Sequence, residues 1–375
     1  MRPDLTERRE YGRIKEKGAI PMETECRTVR ITNNKVNIKE LAEAMEVSTA
    51  SISLALSGKG NISDSLRRRI LTKAKELGYT PSLQAKTLRK SSLKIAVVLP
   101  ASPAHICNKF KTGIQSAVNE FSGGKLECVI YEYLTSDTDA YAAIEDILRS
   151  DYDGVILSLD DLSEERCFFD IYEEFNRLEI PVLSMGNKMS LFSSCCTAWI
   201  DARKGGAIAA DMFHLMGCRE VLVLTGSAYS SIHRRYINGF AAAMRGYGMK
   251  IFDIGYTEDL PEKTARATCE IMPRIQSENP GIFLTTCYSW AVCDALREIQ
   301  TPARVIGMDL LPQTEAYLLS GELSATICQH QTLQAKETMQ KLLELILSGS
   351  GSAPLDDIVI EPYLITRASI SKAEY

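Results

Sequence analysis

Residues 36–92 read VNIKELAEAMEVSTASISLALSGKGNISDSLRRRILTKAKELGYTPSLQAKTLRKSS. The stretch predicts three short capped helices and then a fourth, basic one behind a proline. Asn37 can cap the first helix, with Glu40 completing a capping box. Leu41, Ala42 and Met45 then share one face. Val47 and Ser48 form a turn, and Ser48 caps a second helix from Thr49 to Ser57 that stops at Gly58. In that helix Ile52, Ala55 and Leu56 point inward, which leaves Thr49, Ala50, Ser53 and Leu54 outside. Ser63 caps a third helix with the stripe Leu66, Ile70, Ala74 and Leu77, ending at Gly78. Thr80-Pro81 starts the fourth. Two helices joined by so tight a turn are the layout of a helix-turn-helix module followed by a hinge, which makes double-stranded DNA the first partner to consider.

Charge agrees. Residues 36–92 hold ten Lys or Arg against five Asp or Glu, net +5, and residues 1–35 hold nine against six, net +3. The whole chain is −5, so residues 93–375 carry −13. A basic module joined to an acidic body fits a DNA reader attached to a sensor. A small helical bundle with a solvated basic face would carry the same charge, and it is the helix-turn-helix spacing that favours DNA.

From Leu93 onward strands and helices alternate. LKIAVVLP, CVIYEY, GVILSL and PVLSMG read as strands between the helices FKTGIQSAVNEFSG, AYAAIEDILRS and FFDIYEEFNRL. A second set follows, with strands EVLVLTG, KIFDIGY, GIFLTT and RVIGMD. This alternation predicts an α/β core of two doubly wound subdomains. Late in the chain LQAKETMQKLLELILSG reads as an amphipathic helix and IVIEPYLI as a last strand. Ligands of such sheets bind beyond the carboxyl ends of the strands. Ser102, His105, Asp201, Ser227, Tyr256, Cys287, Trp290 and Asp309 fall there. Asp201 and Asp309 could equally cap helices.

In order and spacing these segments resemble the LacI/GalR family of bacterial regulators, from about residue 36 to the C-terminus. IKELAEAMEVSTASISLALSGKGNIS, LRRRILTKAKELGYTP and QAKTLRKSS carry the resemblance at the N-terminal side. DYDGVIL, EIPVL, WIDARKGGAIAADMFHLMGCREVLVLTG, INGF, RVIGMDLLP and EPYLITRASI carry it downstream. The resemblance implies a helix-turn-helix headpiece over 36–81, a hinge helix over 82–92 and a periplasmic-binding-protein-like core over 93–375. Within the core it implies one subdomain of about 93–213 plus 327–350 and another of about 214–326 plus 351–375. It implies a homodimeric, cytoplasmic repressor whose affinity for an operator is set allosterically by a small-molecule effector. Ser48, Thr49, Ala50, Ser53 and Leu54 would face DNA in the major groove. Leu88 would wedge into the minor groove, with Arg89 on the backbone. His105, Phe110, Asp201, Tyr236, Cys287, Asp309 and Gln331 would line the effector site.

The departures matter as much. Relatives often carry Arg where Leu54 stands, and an Arg that anchors the effector where Tyr236 stands. A frequent Asn falls on Cys287, and a frequent aromatic or polar position on Gln331. Each lost buried partner disfavours a sugar by about 1–3 kcal/mol, so the usual hexose is not implied.

Residues 1–35 are polar and mixed in charge, and are expected to be a disordered extension, with Met22 as the natural start. No run approaches 18 apolar residues, so no membrane span is expected. The 11 cysteines form no Cys-x-x-Cys, and Cys195-Cys196 suit neither a zinc knuckle nor an ordinary bridge. They read as reduced thiols, and the four histidines show no metal spacing. No catalytic residue, metal or cofactor is expected: the chain lacks GxGxxG, a P-loop and a nucleophile elbow in a strand–helix context. A solute-binding protein without a DNA role is the alternative, but it would leave the headpiece without a use.

Overall fold

The computed structural model describes residues 27–33, 36, 38–57, 62–77, 79, 92–122, 124–134, 137–159, 173–186, 197–348 and 356–370. Asn37, with the expected capping box, lies outside them, as do Leu88, Arg89, Cys195 and Cys196. The chain divides into two units, Met1–Thr197 with Ala335–Asp356, and Ala198–Gln334 with Asp357–Tyr375.

The first unit begins with a departure from expectation. Arg27–Thr32, assigned to a disordered extension by its polar composition, form a strand, β1. Its alternation supplies the reason: Ile31 is buried while Arg27, Thr28 and Arg30 are exposed. Three helices follow, α1 (Ile38–Met45), α2 (Thr49–Ser57) and α3 (Asp64–Glu76). Leu41, Ala42, Ile52, Ala55, Ile70 and Ala74 form their common core. The α1–α2 turn passes through Glu46 at φ 54, and Val47 N–H closes back on Ala42 O at 3.0 Å.

The body of this unit is α/β. β2 (Ser92–Pro100) pairs parallel with β3 (Lys125–Tyr133) on one side and with β4 (Gly154–Leu157) on the other, and β4 pairs with β5 (Val182–Gly186). β1 adds antiparallel to the outer edge of β3. Helices α4 (Ala104–Glu120) and α5 (Asp137–Arg149) make the crossovers from β2 to β3 and from β3 to β4. The continuous apolar runs of β2 and β4 are those of parallel strands buried on both faces.

In the second unit β6 (Thr197–Ile200) leads into α6 (Ala202–Leu215). β7 (Glu220–Thr225), α7 (Ser231–Gly246), β8 (Lys250–Tyr256), α8 (Pro261–Ile271), β9 (Gly281–Leu284), α9 (Ser289–Glu298) and β10 (Arg304–Met308) then alternate as expected. Two short elements were not legible: α10 (Pro312–Ser320) and β11 (Ala325–Cys328). The helix α11 (Gln331–Ser348) follows. With β13 (Tyr363–Ile365) at one edge, the six-stranded sheet runs β13-β11-β10-β9-β7-β8.

The expected last strand IVIEPYLI is two strands. β12 (Ile358–Ile360) pairs parallel with β6, and β13 (Tyr363–Ile365) pairs antiparallel with β11. Pro362 lies between them; lacking an N–H it cannot continue a ladder. The boundary between units also differs from the expected 213/214. All of α6 belongs with α7 because their backbones nearly touch. A Cβ on Gly206 would lie 2.0 Å from Tyr236 O, and one on Gly239 1.9 Å from Arg203 O.

Those contacts are with backbone atoms, which cannot step aside. Gly239→Ala should therefore destabilise the protein by about 3 kcal/mol. Gly246→Ala, on the same helix with nothing within 4 Å of its Cβ, should be neutral or stabilising by up to about 1 kcal/mol. Urea unfolding midpoints of the two variants check the contrast.

Candidate functional site

The helix-turn-helix module presents the face that the sequence predicted. Ser48 caps α2: its Oγ accepts from Ser51 N–H at 3.2 Å. Ile52 and Ala55 are turned into the core, so Thr49, Ala50 and Leu54 are left exposed and Ser53 half-buried. Leu54, 37% exposed, is a large apolar side chain held at the surface of an otherwise small and polar helix face. Ser63 caps α3, accepting from Leu66 N–H at 3.3 Å. Arg68 and Arg69 on α3 are exposed, and Arg67 donates to Leu54 O at 3.4 Å.

The second unit gathers polar side chains at the carboxyl ends of its strands. Asp309 follows β10 at φ 57 and is fully buried. Left-handed backbone is tolerated by Asp better than by most residues. Its Oδ2 accepts from Gln329 Nε2 and Gln331 Nε2, each at 2.9 Å, and its Oδ1 accepts from Gln329 N–H at 3.4 Å. The main chain is tied in as well, since Asp309 N–H donates to Ile327 O at 2.8 Å and Thr326 Oγ1 donates to Asp309 O at 3.0 Å.

Tyr236, on α7, joins the same network. Its hydroxyl donates to Gln329 Oε1 at 3.3 Å, and the edge of its ring abuts Gly205, where a Cβ would come within 2.5 Å of Cε1. Burial, helped by Asp309, holds its hydroxyl well above the usual phenol range. The neighbouring Arg235 guanidinium lies over the Trp199 ring at 5.3 Å. Cys287, after β9, is buried, and burial with the Asp309 and Asp259 carboxylates pushes its thiol up to about 12. It is a protonated, unreactive thiol.

Asp201 caps α6, its Oδ1 accepting from Lys204 N–H at 3.0 Å. The structure thus shows the capping role that the sequence left open; a ligand contact would be additional. His105 and Phe110 belong to the first unit, on α4. Phe110 is buried beside Cys107 and Ile114 on the inward face of that helix.

Sequence reasoning missed a second group in the second unit. Thr225 Oγ1 and Thr285 Oγ1 are 2.7 Å apart, and Thr285 Oγ1 is 2.9 Å from His233 Nδ1. His233 Nε2 lies 3.5 Å from Asp259 Oδ2. The available signal was threonine directly after an apolar strand, in LVLTG and FLTT. Among the described residues, Thr286 Oγ1 and Gln331 Oε1 are buried side-chain atoms without a protein hydrogen-bond partner. No group of three metal-ligating side chains occurs among the described residues.

Comparison with known proteins matches both halves of this arrangement. Residues 37–82 match the model of bacterial regulatory proteins of the lacI family, and residues 95–350 match a periplasmic binding protein domain. The transcriptional regulator DegA of Bacillus subtilis is 24% identical over 218 residues, covering 58% of this chain and 63% of DegA. The maltose regulon regulatory protein MalI of Escherichia coli is 23% identical over 267 residues, covering 69% of this chain and 73% of MalI. For DegA and for pepR1 of Lactobacillus delbrueckii the matched span is less than two thirds of the relative's own length.

Among solved structures, the lac repressor dimer bound to operator and an anti-inducer shares the fold at TM-score 0.64 and 17% identity, over 90% of this chain and 99% of that one. A glucose-galactose binding protein of Geobacillus stearothermophilus does so at TM-score 0.64 and 19% identity, over 75% and 99%. The chain has a periplasmic-binding-protein fold carrying a DNA-binding module. Residues 95–350 belong to the periplasmic binding protein domain family, and residues 37–82 to the lacI family of bacterial regulatory proteins.

Because Asp309 accepts from two glutamine amides, Asp309→Ala leaves buried donors unpaired. It should cost about 2–4 kcal/mol of stability, read from the denaturation midpoint, before any effect on a ligand is considered. Tyr236→Phe, which keeps the ring edge against Gly205, should cost only about 1 kcal/mol.

Proposed function

We propose that the chain is a transcription regulator, a homodimeric cytoplasmic repressor, which reads a pseudo-palindromic DNA operator through α2 and responds to a small molecule held in its core. The observation that carries this reading is the union in one chain of a helix-turn-helix module at 37–82 and a periplasmic binding protein domain at 95–350. Relatives are named as regulators, among them the ribose operon repressor of Halalkalibacterium halodurans. The regulator CelR was solved with cellobiose. A solute-binding protein alone would not use the module, and the relatives are regulators and binding proteins rather than enzymes.

In this reading Ser48, Thr49, Ala50, Ser53 and Leu54 face the major groove, and Leu88 and Arg89 act in the hinge. The effector site uses Asp201, Tyr236, Cys287, Asp309 and Gln331 of the second unit. Its chemistry follows from the network. Asp309 Oδ2 already accepts two amide donors, while Gln331 Oε1 is a buried acceptor without a protein partner and Thr286 Oγ1 a buried hydroxyl without one. The effector is then a small molecule rich in hydrogen-bond donors, a sugar or related metabolite. With Tyr236 in place of arginine, the site lacks the bidentate group that favours a carboxylate or phosphate.

Selection from randomised DNA should return a two-fold symmetric site, bound less tightly as salt rises. Leu54→Arg should shift preference toward guanine at one symmetric pair of positions, by about 1–3 kcal/mol. An unchanged consensus would mean that residue 54 does not face the bases. A thermal-shift screen against mono- and disaccharides should find a stabilising neutral ligand whose effect Thr286→Val weakens; stabilisation only by sugar phosphates would contradict the donor-rich neutral class.

A further inference from the structure

Residues 27–33 form an element that the regulatory reading does not use. β1 pairs with β3 from Arg27 opposite Glu132 to Thr32 opposite Glu127. Asn33 extends the ladder. Its N–H donates to Leu126 O at 3.3 Å, its Nδ2 donates to Gly124 O at 2.8 Å, and its Oδ1 accepts from Leu126 N–H at 3.2 Å. Ile31 is 8% exposed, and β1 packs against α4. Arg30 lies 3.9 Å from the Glu127 carboxylate. This is an ordered strand with its own apolar anchor.

Its position bears on the DNA-binding module. α1 starts at Ile38, five residues beyond Asn33, a reach of at most about 18 Å. Lys125 Nζ lies 3.7 Å from the Glu40 carboxylate on α1. At its other end the module returns to Ser92, which pairs with Lys125 on the opposite edge of β3. Both ends of the module are thus tied to the same end of one sheet, on either side of β3. A module joined only through the chain from Tyr79 to Ser92 would have roughly 40 Å of reach, and β1 cuts this to less than half. Thr49, Ala50 and Leu54 nevertheless remain exposed. The module is held from the side of α1, with its reading face open.

We propose that β1 is a second anchor that presents the helix-turn-helix module to DNA. Restricting the module before it binds reduces the orientational freedom lost on binding. Releasing it lowers the fraction of molecules in a competent arrangement, and apparent affinity falls with that fraction. The inference rests on the DNA-binding reading above. The competing role is edge protection: if β1 only covers the free edge of β3, its loss changes stability or solubility but not the DNA affinity of folded protein.

Donors alternate along an antiparallel ladder. Since Asn33 N–H faces β3, so do those of Ile31 and Val29, whereas that of Thr28 faces away. Val29→Pro therefore removes a ladder bond, and Thr28→Pro is its matched control. Ile31→Asp is a second releasing variant that keeps every N–H. In the full-length protein, hydrogen exchange read by mass spectrometry should show residues 27–33 protected in wild type and in Thr28→Pro. Protection should be lost in Val29→Pro and Ile31→Asp, with β7 and β9 unchanged as evidence of folding.

On the DNA site that wild type selects from a random pool, both releasing variants should bind about five- to tenfold more weakly, while Thr28→Pro binds as wild type does. Releasing variants that lose protection yet bind as well as or better than wild type would overturn the anchor. Unprotected residues 27–33 in wild type would overturn it too. A wild-type protein that selects no DNA while 27–33 stay protected would instead fail the DNA reading, and the anchor with it.

Discussion

A buried carboxylate at the end of β10 organises the second unit. Asp309 sits where the chain leaves a strand in left-handed backbone, and its side chain and main chain together touch β11, the turn after it and the first residue of α11. An unpaired buried carboxylate would be too costly to keep. Gln329 and Gln331 remove that cost by aiming both amides at one oxygen, and Gln334 Nε2 fixes the turn by donating to Gln329 O at 2.7 Å. The turn that carries the chain toward Ala335, where the first unit resumes, is thereby built around an acceptor. Any ligand that engages Gln331 or Tyr236 acts on groups that already hold this turn, which gives binding a direct mechanical route to the start of α11.

Much of this was legible in the sequence, for identifiable reasons. The three helices of the module were readable because each has a serine cap or an apolar stripe at helical spacing, and the parallel strands because they are short apolar runs ended by Gly, Pro or Asp. Asp309 was legible as a strand-end carboxylate. Its partners were not, because nothing in QHQ says that two amides converge on one oxygen. Thr225, Thr285 and His233 come from three elements, and their contact exists only once β7 and β9 are neighbours. β12 and β13 merged in the sequence because a single Pro362 separates two runs that pair with different strands. β1 was hidden by composition: one buried Ile31 among arginines and threonines carries too little hydrophobic pattern to stand out from a polar tail.

The close crossing of α6 and α7 fixes the place of Tyr236. Gly205, Gly206 and Gly239 let the two helices approach until backbone meets backbone. The edge of the Tyr236 ring then fills the space that Gly205 leaves, with its hydroxyl reaching Gln329. The aromatic ring is thus part of the helix packing and of the polar network at once. An arginine at this position would have to place a charged, flexible chain against the same glycine. Tyr236 instead offers a neutral hydroxyl, within a helix pair whose geometry leaves little room for compromise.

Charge distribution completes the argument for where nucleic acid can approach. Residues 36–92 carry +5 while residues 93–375 carry −13. A phosphate backbone is attracted by the first and repelled by the second, so the body itself discourages DNA from binding anywhere but at the module. That field acts over about a Debye length, roughly 8 Å at physiological salt, and cannot orient a module that swings freely through several times that distance. Orientation must come from covalent and hydrogen-bonded connections. The chain has two of them at the same end of one sheet, the β2 side and the β1–β3 ladder. In the proposed reading, attraction brings DNA to the basic module, and the ladder limits the directions in which α2 can face when the DNA arrives.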